Sequence, residues 1–433
     1  MTRGVILLAG VINAAITGTA FAQVSDATDS VGQDSPASAF GRDRNVSVME
    51  REHPEYDPAP IDLGALELTP SMAIGTGYDD NLYAVTTPRI GDAYFHIVPR
   101  LKIVRPSPDL KLTLNSQVDL TRYASRITEN QTNYRFDGSA HYVISNALTV
   151  DLSALHGRFA QERTDPDSPA LVQRPIRFTM SEATGAATYV FNRLRLRGEL
   201  GVENRNYRDG RDALGGVVDE DFRDRTTVTG TGIAEYALSP SISLFGVGSY
   251  NIRDYRTRIG PVPARDSQGY EAALGSSFEL GAKIRGSMRV GYLKQNYRDP
   301  FFADIGGVLV RGDVEYFLTP LVTLTGTIDR RVNETGILGA AGYLSTTTSL
   351  RADYELLRNL ILSASAEKEA RAFNNIDRND DRWTYRASGT YRLSPRIALR
   401  ADVLRRSQSS TGTLLGREFE KTRVSFGVTL SGL

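Results

Sequence analysis

From about residue 92 onward the chain alternates apolar and polar side chains with a period of two over unusually long stretches. In the segment 110–120 the apolar set is Leu110, Leu112, Leu114, Val118 and Leu120, against Lys111, Thr113, Asn115, Gln117 and Asp119. Period-two alternation places one set on each face of a β-strand, and about ten residues suffice to cross a bilayer when the strand is tilted. Similar pairs of faces recur. Ala93, Phe95, Ile97, Leu101 and Ile103 oppose His96, Arg100 and Lys102; Leu194, Leu196, Leu200 and Val202 oppose Arg195, Arg197, Glu199 and Glu203. Farther on, Leu350, Ala352 and Tyr354 oppose Arg351, Asp353 and Glu355. Soluble sandwich strands average about five or six residues; here the alternation runs much longer, with charge confined to one face.

A recurrent punctuation divides these stretches. An aromatic residue, a short turn and a new alternating run follow one another at Tyr142, Tyr189, Tyr236, Phe278, Tyr316, Tyr354 and Tyr391, about every 37 to 47 residues. Short turns are expected near 106–109, 145–147, 192–193, 239–241, 281–283, 319–321, 357–359 and 394–396. Eight turns join sixteen strands; a first strand near 66–78 and a last near 418–430 make eighteen. The expected fold is all-β: a single transmembrane, antiparallel, up-and-down barrel over residues 65–433 with a polar lumen, both chain ends on the side of the short turns. The turn aromatics share the apolar parity and read as a girdle at the lipid headgroups.

Residues 1–22 read as a secretory signal, with Arg3, the apolar run 5–16 and Ala20-Phe21-Ala22 as a cleavage pattern. Residues 23–64 are Ser-, Asp- and Pro-rich without periodicity and read as a flexible periplasmic arm, with a docking segment or plug as the alternative. No run of eighteen apolar residues follows the leader, so no transmembrane helix is expected. The chain has no cysteine, so backbone pairing and burial must supply its stability. Fifty-one basic and 51 acidic side chains balance to zero, which argues against nucleic acid as partner.

The inward faces carry many charges. Arg195, Arg197, Arg223, Arg225, Arg285, Arg289, Arg311, Arg351, Arg386 and Arg400 could guide an anionic solute, but Glu199, Glu235, Glu271, Asp313, Asp353 and Asp402 lie among them. A cross-strand ion-pair network that stiffens the wall is the simpler reading, with selectivity secondary. A second aromatic set, Tyr123, Phe159, Tyr207, Tyr255, Tyr297 and Phe373, lies about 12 to 14 residues past a turn and points inward by parity. It could form a mouth that stacks on sugars; alternatively a bulge near the rim flips the parity and makes it the upper girdle. The four histidines, His53, His96, His141 and His156, show no metal spacing, and their combination with Ser139 or Ser153 gives no triad signal, so neither an enzyme nor a cofactor is expected.

At the end of the first strand, Gly77-Tyr78-Asp79-Asp80-Asn81-Leu82-Tyr83 could bind a cation, but Asp and Asn in such a cluster more often serve the turn itself. With the Leu-Ser-Pro turns that follow, this element resembles the β-barrel porin type 2 family of Gram-negative outer membranes, over about residues 65–433. The resemblance implies an outer-membrane location, with lipid as surroundings and both termini periplasmic. It also implies a role as passive conduit for an exopolysaccharide or capsular polysaccharide, beside a periplasmic polysaccharide export protein, with no catalytic residues. The chain departs from many such barrels in ending Gly432-Leu433 rather than on an aromatic, with Phe426 seven residues earlier. Two other functions fit the same wall. A diffusion porin for small solutes would fold one outer loop inward, for which 161–177 or 209–221 is long enough; a structural or adhesive barrel would act through its outer loops.

Overall fold

The computed structural model describes residues 46–432 except 170 and 171. The leader at 1–22, most of the arm and Leu433 therefore lie outside the described residues.

Eighteen antiparallel strands close into one ring. In chain order they are β1 Glu67–Asp79, β2 Asp92–Arg105, β3 Leu110–Tyr123, β4 Gln131–Val143, β5 Leu148–Ala160 and β6 Arg177–Phe191. Then come β7 Leu194–Tyr207, β8 Arg225–Ser239, β9 Ile242–Tyr255, β10 Ser267–Leu280, β11 Ile284–Tyr297 and β12 Ile305–Thr319. The last six are β13 Val322–Glu334, β14 Gly342–Leu357, β15 Leu360–Phe373, β16 Arg378–Ser394, β17 Ile397–Gly412 and β18 Phe419–Ser431. Each pairs with its chain neighbours, and β18 returns to β1 from Ser71–Ser431 to Asp79–Arg423. Closure leaves no edge strand, as a strand structure in hydrocarbon requires.

All eight short turns fall where local chemistry places them. Asn192 and Gly281 sit in their turns at φ +53° and +62°, a left-handed conformation that Asn and Gly tolerate best. At four of the five turns preceded by aromatic-Xaa-Leu the ladder shifts register, between Ala237 and Ser239, Phe317 and Thr319, Glu355 and Leu357, and Arg392 and Ser394, while Phe278-Glu279-Leu280 runs into its glycine turn without a shift. The Leu-Ser-Pro signature thus marks a bulged hairpin end.

The apolar parity faces out. Leu114, Leu200 and Leu274 are 56%, 59% and 77% exposed on the isolated chain, the face a membrane covers, and the turn aromatics share it. At the other rim Tyr78, Phe95, Phe136, Tyr250, Tyr270, Tyr292, Trp383 and Tyr385 are exposed aromatics of the strands, with Trp383 and Tyr385 stacked at 5.9 Å. These outward rings form the upper girdle. The longest open stretch in the ladder among the described residues lies toward the long-loop end. Between β12 and β13 the ladder stops at Arg311–Asp329, and above that point Leu293, Leu309, Val332 and Leu344 pack into the gap.

The first and last strands are also stitched by side chains. Asp79 accepts from the Asn81 amide and meets Lys421 Nζ at 2.7 Å; Asp80 accepts from the Thr422 amide at 2.6 Å; the Asn81 amide group donates to the carbonyls of Val85 and Glu420. The Asp-Asp-Asn cluster is turn and clasp chemistry, with its carboxylates already engaged.

Candidate functional site: a constricted bore

An eighteen-strand ring is wide enough for an aqueous bore. Here it is narrowed at both ends. The connection between β5 and β6 turns inward from Gln161. Its Glu162 and Thr164 accept from Arg406 on β17, each at 2.8 Å, and the Thr164 carbonyl accepts from Arg382 on β16. Arg417, between β17 and β18, donates to the carbonyls of Arg163 and Ser168 at 2.8 and 2.5 Å. Asp167 accepts from Thr335, in the connection between β13 and β14 on the far side of the ring, at 2.5 Å. Arg163 forms a buried pair with Glu129 at 2.7 Å. Residues 161–169 therefore span the bore and are fastened to opposite walls.

Charge at this crossing is tuned by burial. Burial raises the Glu162 carboxyl, but Arg406, Arg423 and Lys421 outweigh it and bring the value down to about 2. Asp165 is pushed up by burial and then by neighbouring Asp167; Glu220 is pushed up by burial.

At the short-turn end the described part of the arm lies on the inner wall. Val48, 1% exposed, donates its amide to Thr323 Oγ1 at 3.1 Å. Glu50 pairs with Arg285 at 2.5 Å, Arg51 with Glu355, His53 with Glu355 at 3.4 Å and Asp57 with Arg392 at 3.3 Å. Burial raises the Glu50 carboxyl, and the hydrogen bond and charge of Arg285 lower it by more. Residues 46–57 thus line the wall from β11 to β16 rather than hanging free.

Between the two closures lies a cavity of about 480 Å³ whose basic side chains are all arginine. The inward charges are mostly matched. Arg195 meets Glu235 at 2.7 Å; Arg197 meets Asp151 and Glu199 at 3.1 and 3.2 Å; Arg311 bridges Glu271 and Asp329 at 3.2 and 2.7 Å. Arg285 pairs with Glu315, Arg351 with Asp353 at 2.9 Å and Arg400 with Asp402 at 3.7 Å, and Asp313 accepts from Ser287. Arg386 shares that last neighbourhood, its Nε without an acceptor among the described residues. Arg223 is not on a strand: it sits in the 3-10 turn Asp221–Arg223, paired with Glu220 at 2.8 Å and lying 4.0 Å over the Tyr207 ring.

The second aromatic set points inward. The ladders through this region run without a parity flip, so the upper girdle is built from the outward rings named above, which sequence reading missed. Loops cover most of the inward set. Phe159 packs with Phe178, Val172 and Ile176; Tyr297 with Phe302 and Ala341; Phe373 under Arg378 at 4.5 Å; Tyr123 beside Tyr94 at 5.7 Å. Tyr207 and Tyr255 alone of the six line the cavity. The histidines form separate contacts: His141 with Asp151 at 2.6 Å on the inner face, His156 with Ser181 at 2.8 Å on the outer.

Residues 53–431 match the family described as "Putative beta-barrel porin 2". The chain belongs to this family. The porin is therefore an outer-membrane channel, as the closed ring and polar bore require. No curated protein matches its sequence. Among solved structures it is similar to OpdL of Pseudomonas aeruginosa, at 12% identity and a TM-score of 0.44, over 86% of this chain and 100% of that one. OccK2 (OpdF) of Pseudomonas aeruginosa gives 13% identity and 0.45, over 84% and 98%. A structure titled copper transporter OprC gives 12% and 0.46, over 88% and 82%.

Proposed function

We propose that this porin is a constricted diffusion channel for small hydrophilic solutes, with the long loops facing outward and the short turns facing the periplasm. One observation carries the reading: residues 161–169 cross the bore and are held there by arginines from the far strands. A polymer in transit would need that crossing withdrawn, whereas small solutes need only the gaps around it. The wall supplies hydrated, weak, repeated contacts, and gradients supply the driving force.

The inward Tyr207 and Tyr255, with arginines beside them, support a second reading, the one implied by the family resemblance: export of a surface polysaccharide alongside a periplasmic export protein. In that case 161–169 is a gate that opens under load.

Purified full chain in planar bilayers, with and without residues 163–169, separates the two. Small steady conductance that excludes polymer and rises on deletion supports the diffusion channel. A deletion strain that loses secreted polysaccharide while small-solute uptake is unchanged overturns it in favour of export.

A further inference from the structure

Nearly every arginine on the cavity wall has a carboxylate or carbonyl partner. Two do not. Among the described residues, no ion pair or hydrogen bond reaches the guanidinium of Arg225 on β8 or of Arg289 on β11. The register gives both the same unusual setting. Arg225 stands directly opposite Arg205 on β7, and Arg205 is already matched to Glu203 at 2.7 Å. Arg289 stands directly opposite Arg311 on β12, and Arg311 is already matched to Glu271 and Asp329.

Like charges directly across a ladder are destabilising. A wall built only for stiffness would put a carboxylate or a neutral side chain at these positions, as it does at Arg195 and Glu235, which face each other in the same β7–β8 ladder. Both unmatched guanidiniums line the one cavity, Arg225 near the long-loop end of β8 and Arg289 near the middle of β11. The acids nearest Arg225, Glu203 and Glu334, are held by Arg205 and Arg253, and those nearest Arg289 are held by Arg311 (Glu271 and Asp329) or accept from Ser287 (Asp313). What remains for Arg225 and Arg289 is an acceptor that comes from the solution.

We infer that Arg225 and Arg289 are two successive stations for small anions, carboxylate-bearing solutes above all, along the β8–β11 wall of the bore. This rests on the channel reading. Guanidinium donors in a fixed fork suit carboxylates, and two separated weak stations let an anion enter, hop and leave.

The test is the zero-current potential of the full chain in planar bilayers under a KCl gradient, with chloride as the probe and acetate replacing chloride in a second series. Expected is preference for the anion in both salts, reduced on the order of fivefold by Arg225→Gln with Arg289→Gln and restored by lysine at both positions. Heat-modifiable migration on gels shows that each variant has folded; if the glutamine pair does not fold, Arg289→Gln alone against Arg289→Lys gives the same reading. A folded channel that conducts with unchanged selectivity in the glutamine variant overturns this inference and leaves the channel standing. A folded wild-type barrel that passes no current overturns the channel reading, and the anion stations with it.

Discussion

The two ends of the bore are closed in different ways. At the long-loop end, residues 161–169 are anchored in the sheet on both sides, by β5 and β6, and gripped by buried arginines from strands across the ring. At the short-turn end, residues 46–57 are joined to the barrel only through the chain leading into β1. Their contacts are mixed: the Glu50 side chain is 43% exposed and its partner Arg285 22%, while Val48, His53 and Glu355 are buried. Buried, hydrogen-bonded charge is expensive to disrupt on one side only, while exposed pairs contribute little. The long-loop closure is gripped from strands across the ring; the short-turn closure lies along one stretch of the wall, from β11 to β16.

The sharpest way to break this contrast is Arg406→Ala. It strips Glu162 and Thr164 of their shared donor, a loss of about 3 kcal/mol for the closed crossing. Single-channel conductance should rise part-way to that of the loop-deleted barrel, since Arg382, Arg417 and Thr335 still hold the crossing; no change would mean that Arg406 is not one of its holds. Within residues 46–57, Glu50→Ala should do much less, about 1 kcal/mol or below after solvent screening. The readouts are faster proteolysis of that segment and a small conductance gain.

Acid should pull the two ends apart. The Asp165 carboxyl is raised, so the closed crossing binds its proton more tightly than the free loop does, and lowering pH through that raised value favours closure. Glu50 is lowered, so the docking it supports is present above the ordinary carboxylate value and lost as pH falls through its own. Glu162 follows the same rule but yields only near pH 2. Conductance should fall first as pH drops from 7 toward the ordinary carboxylate range, and residues 46–57 should become more protease-accessible only below about 4.5; changes in step at both ends would contradict the scheme. The smallest effect belongs to Arg358→Ala. Arg358 and Glu55 are 78% and 63% exposed, 3.5 Å apart, and their loss should move neither conductance nor proteolysis.

Much of the barrel was legible because its rules are local. Period-two alternation set the faces, and Asn192-Arg193 or Leu393-Ser394-Pro395 set a turn without reference to anything distant. The expected strand at 66–78 is observed at 67–79, and that at 418–430 at 419–431. The crossing was legible only as a length. Thr164 meets Arg382 across 218 positions of sequence and Glu162 meets Arg406 across 244, and nothing near 161–169 announces those partners. The docking of the arm was legible only as the alternative to a flexible linker, for the same reason. The inward arginines could be named strand by strand, but which of them lack a partner depends on cross-strand register, and one strand alone cannot show that Arg225 faces Arg205.

The clasp at Asp79, Asp80 and Asn81 has a further consequence for how such a ring comes to exist. Each hairpin can zip against its neighbour as the chain is laid down, but the Asn81 side chain finds its second carbonyl, and Asp80 its amide, only on β18. A curled sheet that has not yet met its own beginning leaves these groups facing water or lipid without partners. The joint where the circle is completed is thus the one place where the first-made and last-made strands test each other, and a chain lacking its final strand would fail there rather than close one strand short.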